Sequence, residues 1–405
     1  MRFSSRTTPW AVLFPAVLLA ACGEDATSPT SPERSVPARA PALATAAVTP
    51  TFKQLAAGFY HTCGVASDGR AWCWGLNRDG ALGDGTTTDR SIPTAVLTTL
   101  RFRQISAGAF STCGITTDDR AVCWGFGGDG QLGTGTTVSR LTPVAVAGTR
   151  RFRDVRVGYR HACAVTFADV AFCWGDNPTG QLGDGTTTRR LKPARVAGGL
   201  AFVRVVPGSD HSCGLTTDSR GFCWGSNAYG QLGTPTKAGT IPRPLQVDAS
   251  IGQLRQVSAG DQHSCAVTLA KVAYCWGRSF HGESGSGFAG VFYLPLAVNS
   301  GGTKFLGVSP GGGHTCGVST ANLAYCWGSN GLGQLGSVTG GADKLSPTAV
   351  AGELHFKAIN AGLGHTCGVA LDDRSYCWGW NGAGQLGNGN AGTGSSVPVL
   401  VGGGT

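Results

Sequence analysis

The stretch His61-Thr-Cys63-Gly-Val-Ala-Ser-Asp68-Gly69-Arg-Ala-Trp-Cys73-Trp74-Gly75 decides the fold, because its Cys-x(9)-Cys-Trp-Gly frame returns six more times, 50 to 52 residues apart. The pairs are Cys63 with Cys73, Cys113 with Cys123, Cys163 with Cys173, Cys213 with Cys223, Cys265 with Cys275, Cys316 with Cys326, and Cys367 with Cys377. A fixed period of this length marks a radial or solenoidal array, since one such unit cannot bury its own apolar face. In the first copy Phe52 to Ala57 alternates as a strand, Gly58-Phe59-Tyr60-His61 turns the chain, and residues 61–65 run back. Asp68-Gly69 then makes a hairpin turn of the type that needs positive φ. Residues 71–74 form a third strand, a long loop carries Asn77 and Gly80-Ala-Leu-Gly83, and residues 93–97 form a short outer strand. With 65 glycines in 405 residues and no long stretch of helical apolar spacing, the expectation is an all-β fold. Seven units closing on themselves make one large domain, residues 51–401.

A hairpin turn centred on residue 68 brings residues 63 and 73 across from each other on neighbouring strands, which is disulfide geometry in outline. Each bridge closes a short loop and is worth roughly 2 to 3 kcal/mol on the chain-entropy model. The rival reading is a metal site, because His61, His161, His211, His263, His314 and His365 precede the first cysteine of their units as His-x-Cys. Zinc sites take four ligands with closely spaced cysteine pairs, and Ser111 replaces the histidine in the second unit, so neither metal nor cofactor is expected.

Fifteen cysteines are seven pairs plus Cys22. Residues 1–21 carry Arg2 and Arg6 ahead of an apolar run, Trp10 to Ala20, broken by Pro15 and too short to span a bilayer comfortably. Leu19-Ala20-Ala21-Cys22 resembles the bacterial lipobox, which implies lipidation at Cys22, although an ordinary cleaved signal or a plain anchor fits the same composition. Residues 22–50, rich in Ala, Pro, Ser and Thr, read as a tether reaching about 30 Å. Export to the bacterial cell envelope or surface is expected, and an oxidising compartment suits seven paired cysteines.

The pattern Gly-x-x-His-x-Cys, hairpin, Cys-Trp-Gly-x-Asn-x-x-Gly-Gln-Leu-Gly resembles the regulator of chromosome condensation repeat. Asn177 with Gly180 to Gly183, Asn227 with Gly230 to Gly233, and Asn381 with Gly384 to Gly387 match it closely. The resemblance implies a seven-bladed β-propeller over about residues 52–400, so that each cysteine pair becomes an intra-blade disulfide. Recurrence at one position of the repeat assigns Trp74, Trp124, Trp174, Trp224, Trp276, Trp327 and Trp378 to packing between blades, and the histidines to hydrogen-bonded turns. Function is less determined, because one scaffold hosts unrelated activities.

Functional residues must therefore be sought where the repeats differ. If the first strand runs upward, the Gly-x-x-His turn and the long loop share the upper face. There Phe59, Tyr60, Phe110, Phe126, Tyr159, Arg160 and Trp380 should cluster across neighbouring blades, blade seven closing on blade one. Aromatics and arginine are what binding hot spots use, although local loop packing explains the same letters. Arg70, Arg120, Arg220 and Arg374 at the hairpins, with Arg101, Arg103, Arg150, Arg151, Arg153 and Arg156 near strand starts, are expected below. Net charge is +9, or about +7 without Arg2 and Arg6 (9 − 2), consistent with a basic underside facing anionic head groups or polysaccharide, or with a solvated rim. The fifth unit departs most after Cys275-Trp276-Gly277, where Phe280, His281 and Glu283 mark either a partner contact or divergence.

No Walker loop, zinc-protease histidine pair, serine elbow or sialidase-type box occurs. The expectation is a non-enzymatic, monomeric binding or scaffold propeller, membrane-held through its lipid, taking a protein or glycan partner and no nucleic acid. Exported bacterial relatives with this look include a β-lactamase-inhibiting propeller that binds through loop aromatics. The alternatives are nucleotide exchange on a small GTPase, by family analogy, and a carbohydrate-active enzyme, which a carboxylate or histidine cluster at the channel mouth would favour.

Overall fold

The computed structural model describes residues 50–402 except 238 and 339. The expected leader 1–21, the expected lipidation at Cys22 and the expected tether up to residue 49 fall outside the described residues. Among those described, no helix is long and apolar enough to cross a membrane. Twenty-eight strands among the described residues form seven four-stranded antiparallel sheets, each from one repeat and each in simple chain order. A single 3-10 turn among the described residues, Ala249–Ile251, lies between the fourth and fifth blades. In the first blade the strands are Phe52–Ala57, His61–Ala66, Ala71–Gly75 and Arg90–Ala95. Phe52–Ala57 pairs with His61–Ala66 of its own repeat, so the ring closes between the seventh and first blades without exchanging a strand.

The innermost strand of each blade lines a central channel, and its register explains which residues do so. A bulge between Phe52 and Gln54, repeated at the same place in all seven blades, interrupts the alternation. Phe52 and Leu55 therefore both enter the core although three residues apart, while positions 54 and 56 of the repeat face the axis.

The cysteines are paired within blades. Cys63 lies directly opposite Cys73 in the middle of the central hairpin, and the same register sets Cys113 against Cys123, Cys163 against Cys173 and Cys213 against Cys223. It continues with Cys265 against Cys275, Cys316 against Cys326 and Cys367 against Cys377. In every pair the Cα atoms are 4.1 Å apart and the sulfurs are bonded. The sulfurs are spent on each other, so no thiolate remains to ligate a metal at these positions. The hairpin turn has positive φ as expected, but Gly69 fills that position only in the first blade. Asp119, Asp169, Ser219, Lys271, Asn322 and Asp373 take it elsewhere with φ of 61–67°.

The blades are joined by one device repeated around the ring. Each repeated tryptophan is fully buried and donates its indole N–H to the carbonyl of residue 81 or its equivalent in the preceding blade, as in Trp124 to Ala81 at 2.9 Å and Trp74 to Gln385 at 2.9 Å. The glycine two residues later (Gly83, φ +70°) must be glycine, because a Cβ there would stand 2.6 Å from Trp124 Nε1. The same carbonyl accepts a hydroxyl proton from Thr112 at 2.8 Å, and that hydroxyl meets His61 Nε2 at 2.7 Å. Since the hydroxyl proton is committed to the carbonyl, the ring nitrogen is the donor, which fixes the Nε2–H tautomer. The histidine is thus an inter-blade strut, a correction to the expectation of a local turn residue. The arrangement recurs in six seams, including His365 to Thr62 at 2.9 Å across the closure.

The seam between the second and third blades lacks it on both sides. Ser111 stands where the histidine would be and Ala162 where the hydroxyl would be. Removing one partner alone would leave a buried polar group unpaired, so the two absences belong together. At the channel side of this seam Gln104 bonds the backbone of Val155, as Gln54 and Gln256 do in their seams, and adds a bond to Asp154.

Candidate functional site

The Gly-x-x-His turn and the long loop do share the upper face. Leu76 N–H donates to Tyr60 C=O at 3.0 Å, and the same bond recurs from Phe126 to Phe110 and from Trp380 to Gly364. The glycine that opens each turn sits where blades are closest. A Cβ on Gly58 would lie 2.4 Å from Gly108 C=O, and that carbonyl accepts Phe59 N–H. The two residues after it are lifted onto the face by this contact, which is why they are free to vary.

Five of the seven expected side chains form one aromatic cluster, four of them in a closed circuit to which Trp380 is attached through Tyr60. Trp380 meets Tyr60 edge-on at 5.8 Å, Tyr60 stacks on Phe110 at 5.2 Å, and Phe110 meets Tyr159 edge-on at 6.1 Å. Phe59 closes the loop, 5.3 Å from Tyr159 and 6.4 Å from Tyr60. Phe59 reaches across a whole blade to Tyr159 because the intervening residue of the turn is the small, buried Ala109. Arg160 caps Tyr159 at 5.3 Å from the ring centre. Phe126 stands apart from the circuit and lines, with Phe110, Tyr159, Arg160, Arg78 and Asp129, a cavity of about 310 Å3 beside it. The rings are half-buried, so each keeps one surface for solvent or a ligand.

Beside the aromatics lies an acidic group that sequence reading passed over as loop variation. Burial, then the charge of Asp261, raises the Asp210 carboxyl above the usual range, with Arg160 opposing and Asp176 adding to the rise. Asp261 lines the upper channel mouth and accepts the Ser209 hydroxyl. Arg189 bridges Asp129 and Asp176 at 3.5 and 3.7 Å. Burial raises the Tyr60 phenol as well, helped by Tyr159 and Asp261, so it remains a proton donor at neutral pH. The signal that could have found the acids was Asp210 and Asp261 at the variable turn positions of the fourth and fifth repeats, with Asp176 at the variable position after Trp-Gly in the third.

The lower face differs from the expectation in two ways. Arg70, Arg120, Arg220 and Arg374 are each paired with the aspartate two residues earlier, at 2.5 to 2.7 Å, which neutralises much of the hairpin charge. Arg156 is not on the rim: it faces the channel interior, three residues above Arg153, because the bulge sets the register. In the fifth blade the loop follows the common path with new ties. Ser279 takes the place of the loop asparagine, accepting Ser284 N–H at 2.9 Å, where Asn77 elsewhere accepts Leu82 N–H and donates to Thr86 and Thr88 carbonyls. Glu283 is buried and bonds His281 N–H, while its carbonyl still receives Thr315 and Trp327. Phe280 is exposed against Tyr229 and Arg278. Among the described residues no group of three or more His, Cys, Asp or Glu is arranged to hold a metal.

Seven similar seams holding seven differing upper loops define a repeat propeller whose variable face is the place for recognition. The chain belongs to the RCC1-like domain family, which it matches over residues 19–367, with an additional regulator of chromosome condensation (RCC1) repeat match over 356–385. Among curated proteins it is 34% identical over 158 residues to the ultraviolet-B receptor UVR8 of Arabidopsis thaliana, covering 38% of this chain and 36% of the receptor. It is 32% identical over 168 residues to the probable E3 ubiquitin-protein ligase HERC6 of Homo sapiens, covering 40% of this chain and 16% of the ligase. The matched region therefore spans about a third or less of these relatives. Among solved structures, human WBSCR16 superposes with a TM-score of 0.72 at 20% identity, covering 78% of this chain and 86% of that one. Yeast RCC1 (Prp20), solved bound to Kap60, does so with 0.72 at 19% identity over 82% and 83%. At these identities the likeness is one of fold.

Proposed function

We propose that this protein is a non-enzymatic binding or scaffold propeller of the bacterial cell envelope, lipid-anchored at Cys22, that captures a protein or glycan partner on its upper face. The observation that carries this reading is the aromatic circuit of Tyr60, Phe110, Tyr159 and Phe59, extended by Trp380 against Tyr60 and with Arg160 at its edge. Half-buried rings held by one another present apolar area at little further entropic cost, and flanking charges fix orientation. The solved yeast relative bound to Kap60 supports a binding role for the scaffold, without naming a partner here.

The test is Tyr60→Ala, Phe110→Ala and Tyr159→Ala combined, in a capture experiment against cell-envelope extract and a glycan array. Loss of at least tenfold in capture with a melting temperature within a few degrees of the parent is expected; retained capture removes the proposal. Mass spectrometry of the mature N-terminus tests the anchor, an unmodified Cys22 overturning it.

A second reading rests on the acids. With burial and the charge of Asp261 raising the Asp210 carboxyl, and Asp261 at the channel mouth, the face would act on a glycan as a carbohydrate-active enzyme. Hydrolysis lost in Asp210→Asn while capture persists would favour it over simple binding.

A further inference from the structure

The channel carries a second set of departures from the repeat, independent of the upper face. Position 54 of the repeat reads Gln54, Gln104, Asp154, Arg204, Gln256, Gly307 and Ala358 around the ring. Where it is glutamine it clamps the next blade's innermost strand. Gln54 bonds both backbone groups of Ile105, Gln104 those of Val155, and Gln256 those of Val308. The sixth and seventh blades give up the clamp for Gly307 and Ala358, which leaves an opening of about 300 Å3 in the channel. The third and fourth blades fill the same layer with charge: Arg156 and Arg204 line that opening.

These arginines are under-neutralised. They share one carboxylate, Asp154, with Arg156 Nε at 3.2 Å from one oxygen and Arg204 Nε at 3.9 Å from the other, and Asp154 already accepts Gln104 at 2.8 Å. The charge of Arg156 is the largest influence lowering the affinity of Arg204 for its proton, ahead of burial. Small hydroxyl donors complete the wall. Ser258 and Ser309 line it, and Ser309 Oγ accepts Ala361 N–H at 3.0 Å, which leaves its proton free to donate. Below, position 53 of the repeat is Lys53, Arg103, Arg153, Arg255 and Lys357 in five of seven blades, a cationic approach to the opening. Arg103, Arg153 and Lys357 are paired with hairpin aspartates, whereas Lys53 and Arg255 have no ion pair among the described residues. A low-dielectric channel with such a rim focuses potential on anions.

We infer that the central channel holds a phosphate-class oxyanion site, in which Arg156 and Arg204 grip the anion and Ser258 and Ser309 donate to it. Guanidinium forks match tetrahedral oxyanions in charge and geometry, and an anion between the two arginines removes their mutual repulsion. Space of about 300 Å3 admits inorganic phosphate or the phosphate end of a larger molecule.

Calorimetric titration of the full chain with inorganic phosphate, at constant ionic strength against sodium chloride, is the direct test. Saturable binding is expected, weakened about tenfold or more by Arg156→Gln or Arg204→Gln. Lys53→Gln, on the rim, should change affinity less than threefold. The melting temperature should rise with phosphate in the parent and stay fixed in the double variant. Without phosphate, Arg204→Gln should melt at or above the parent, since it relieves repulsion; a lower value would mark the arginine as structural and count against the site. Parallel titrations with glycerol 1-phosphate and with phosphatidic-acid vesicles separate a free anion from a lipid-borne phosphate, and Arg204-dependent binding to either supports the site. No saturable binding of any of the three, or binding unchanged in the double variant, overturns it.

Discussion

The belt between blades and the upper face are built from neighbouring residues of the same repeat, yet they behave oppositely. In the belt, tryptophan, histidine, hydroxyl and carbonyl repeat in almost every seam with distances that hardly vary, from 2.7 to 2.9 Å between histidine and hydroxyl. Next to that histidine, the turn carries Phe59-Tyr60 in one blade, Asp261-Gln262 in another and Gly312-Gly313 in a third. The difference teaches where selection for stability stops. A ring is stable only if every seam holds, so seam residues repeat, while the residues lifted onto the face by the glycine contact carry no such duty.

The largest way to break this contrast is acid. Burial lowers the belt histidines to about 4 for His61 and about 3 for His161, His211, His263, His314 and His365, against an ordinary value of 6.5. The folded ring therefore binds fewer protons than the unfolded chain below pH 6.5. The stability the neutral histidines contribute is complete above that pH and is lost as pH falls towards 3 to 4, by up to about 1.4 kcal/mol per pH unit for each histidine. Urea midpoints should fall steeply between pH 6.5 and 5, and His211→Gln should flatten the slope by about one proton.

Next in size is a single seam. Trp224→Ala removes a fully buried ring and the donor to Gln181 C=O, and should cost about 3 to 5 kcal/mol in chemical unfolding. Tyr60→Ala on the face should cost well under half as much while reducing partner capture, which is the sharpest form of the comparison. The smallest effect is a repair. Ser111→His together with Ala162→Thr should rebuild the missing strut between the second and third blades. The pair should show a favourable coupling of about 1 kcal/mol in a double-mutant cycle, with neither single change stabilising. Additive effects would mean the seam has adapted to its gap.

The disulfides were legible because a ten-residue separation across a two-strand hairpin leaves little choice of partner, as between Cys113 and Cys123 or between Cys316 and Cys326. The membership of the aromatic circuit was legible too, since the turn and long loop must emerge on one side. The joint loss of histidine at 111 and hydroxyl at 162 also stands in the sequence, but as two unrelated letters until the seam is seen. Its meaning depends on which blade edge each letter faces.

The repeat by itself determined the period, the seven antiparallel blades, the cysteine pairing and the sharing of one face by two variable positions, because local alternation and turn chemistry fix these within a single unit. Only the closed ring decided that Phe59 meets Tyr159 over Ala109, that the histidines brace the next blade, and that Arg156 turns into the channel beside Arg204. These are contacts between units one or two repeats, about fifty or a hundred residues, apart, and a bulge at the start of each inner strand rotates the side chains by a step that no pattern of apolar and polar letters records.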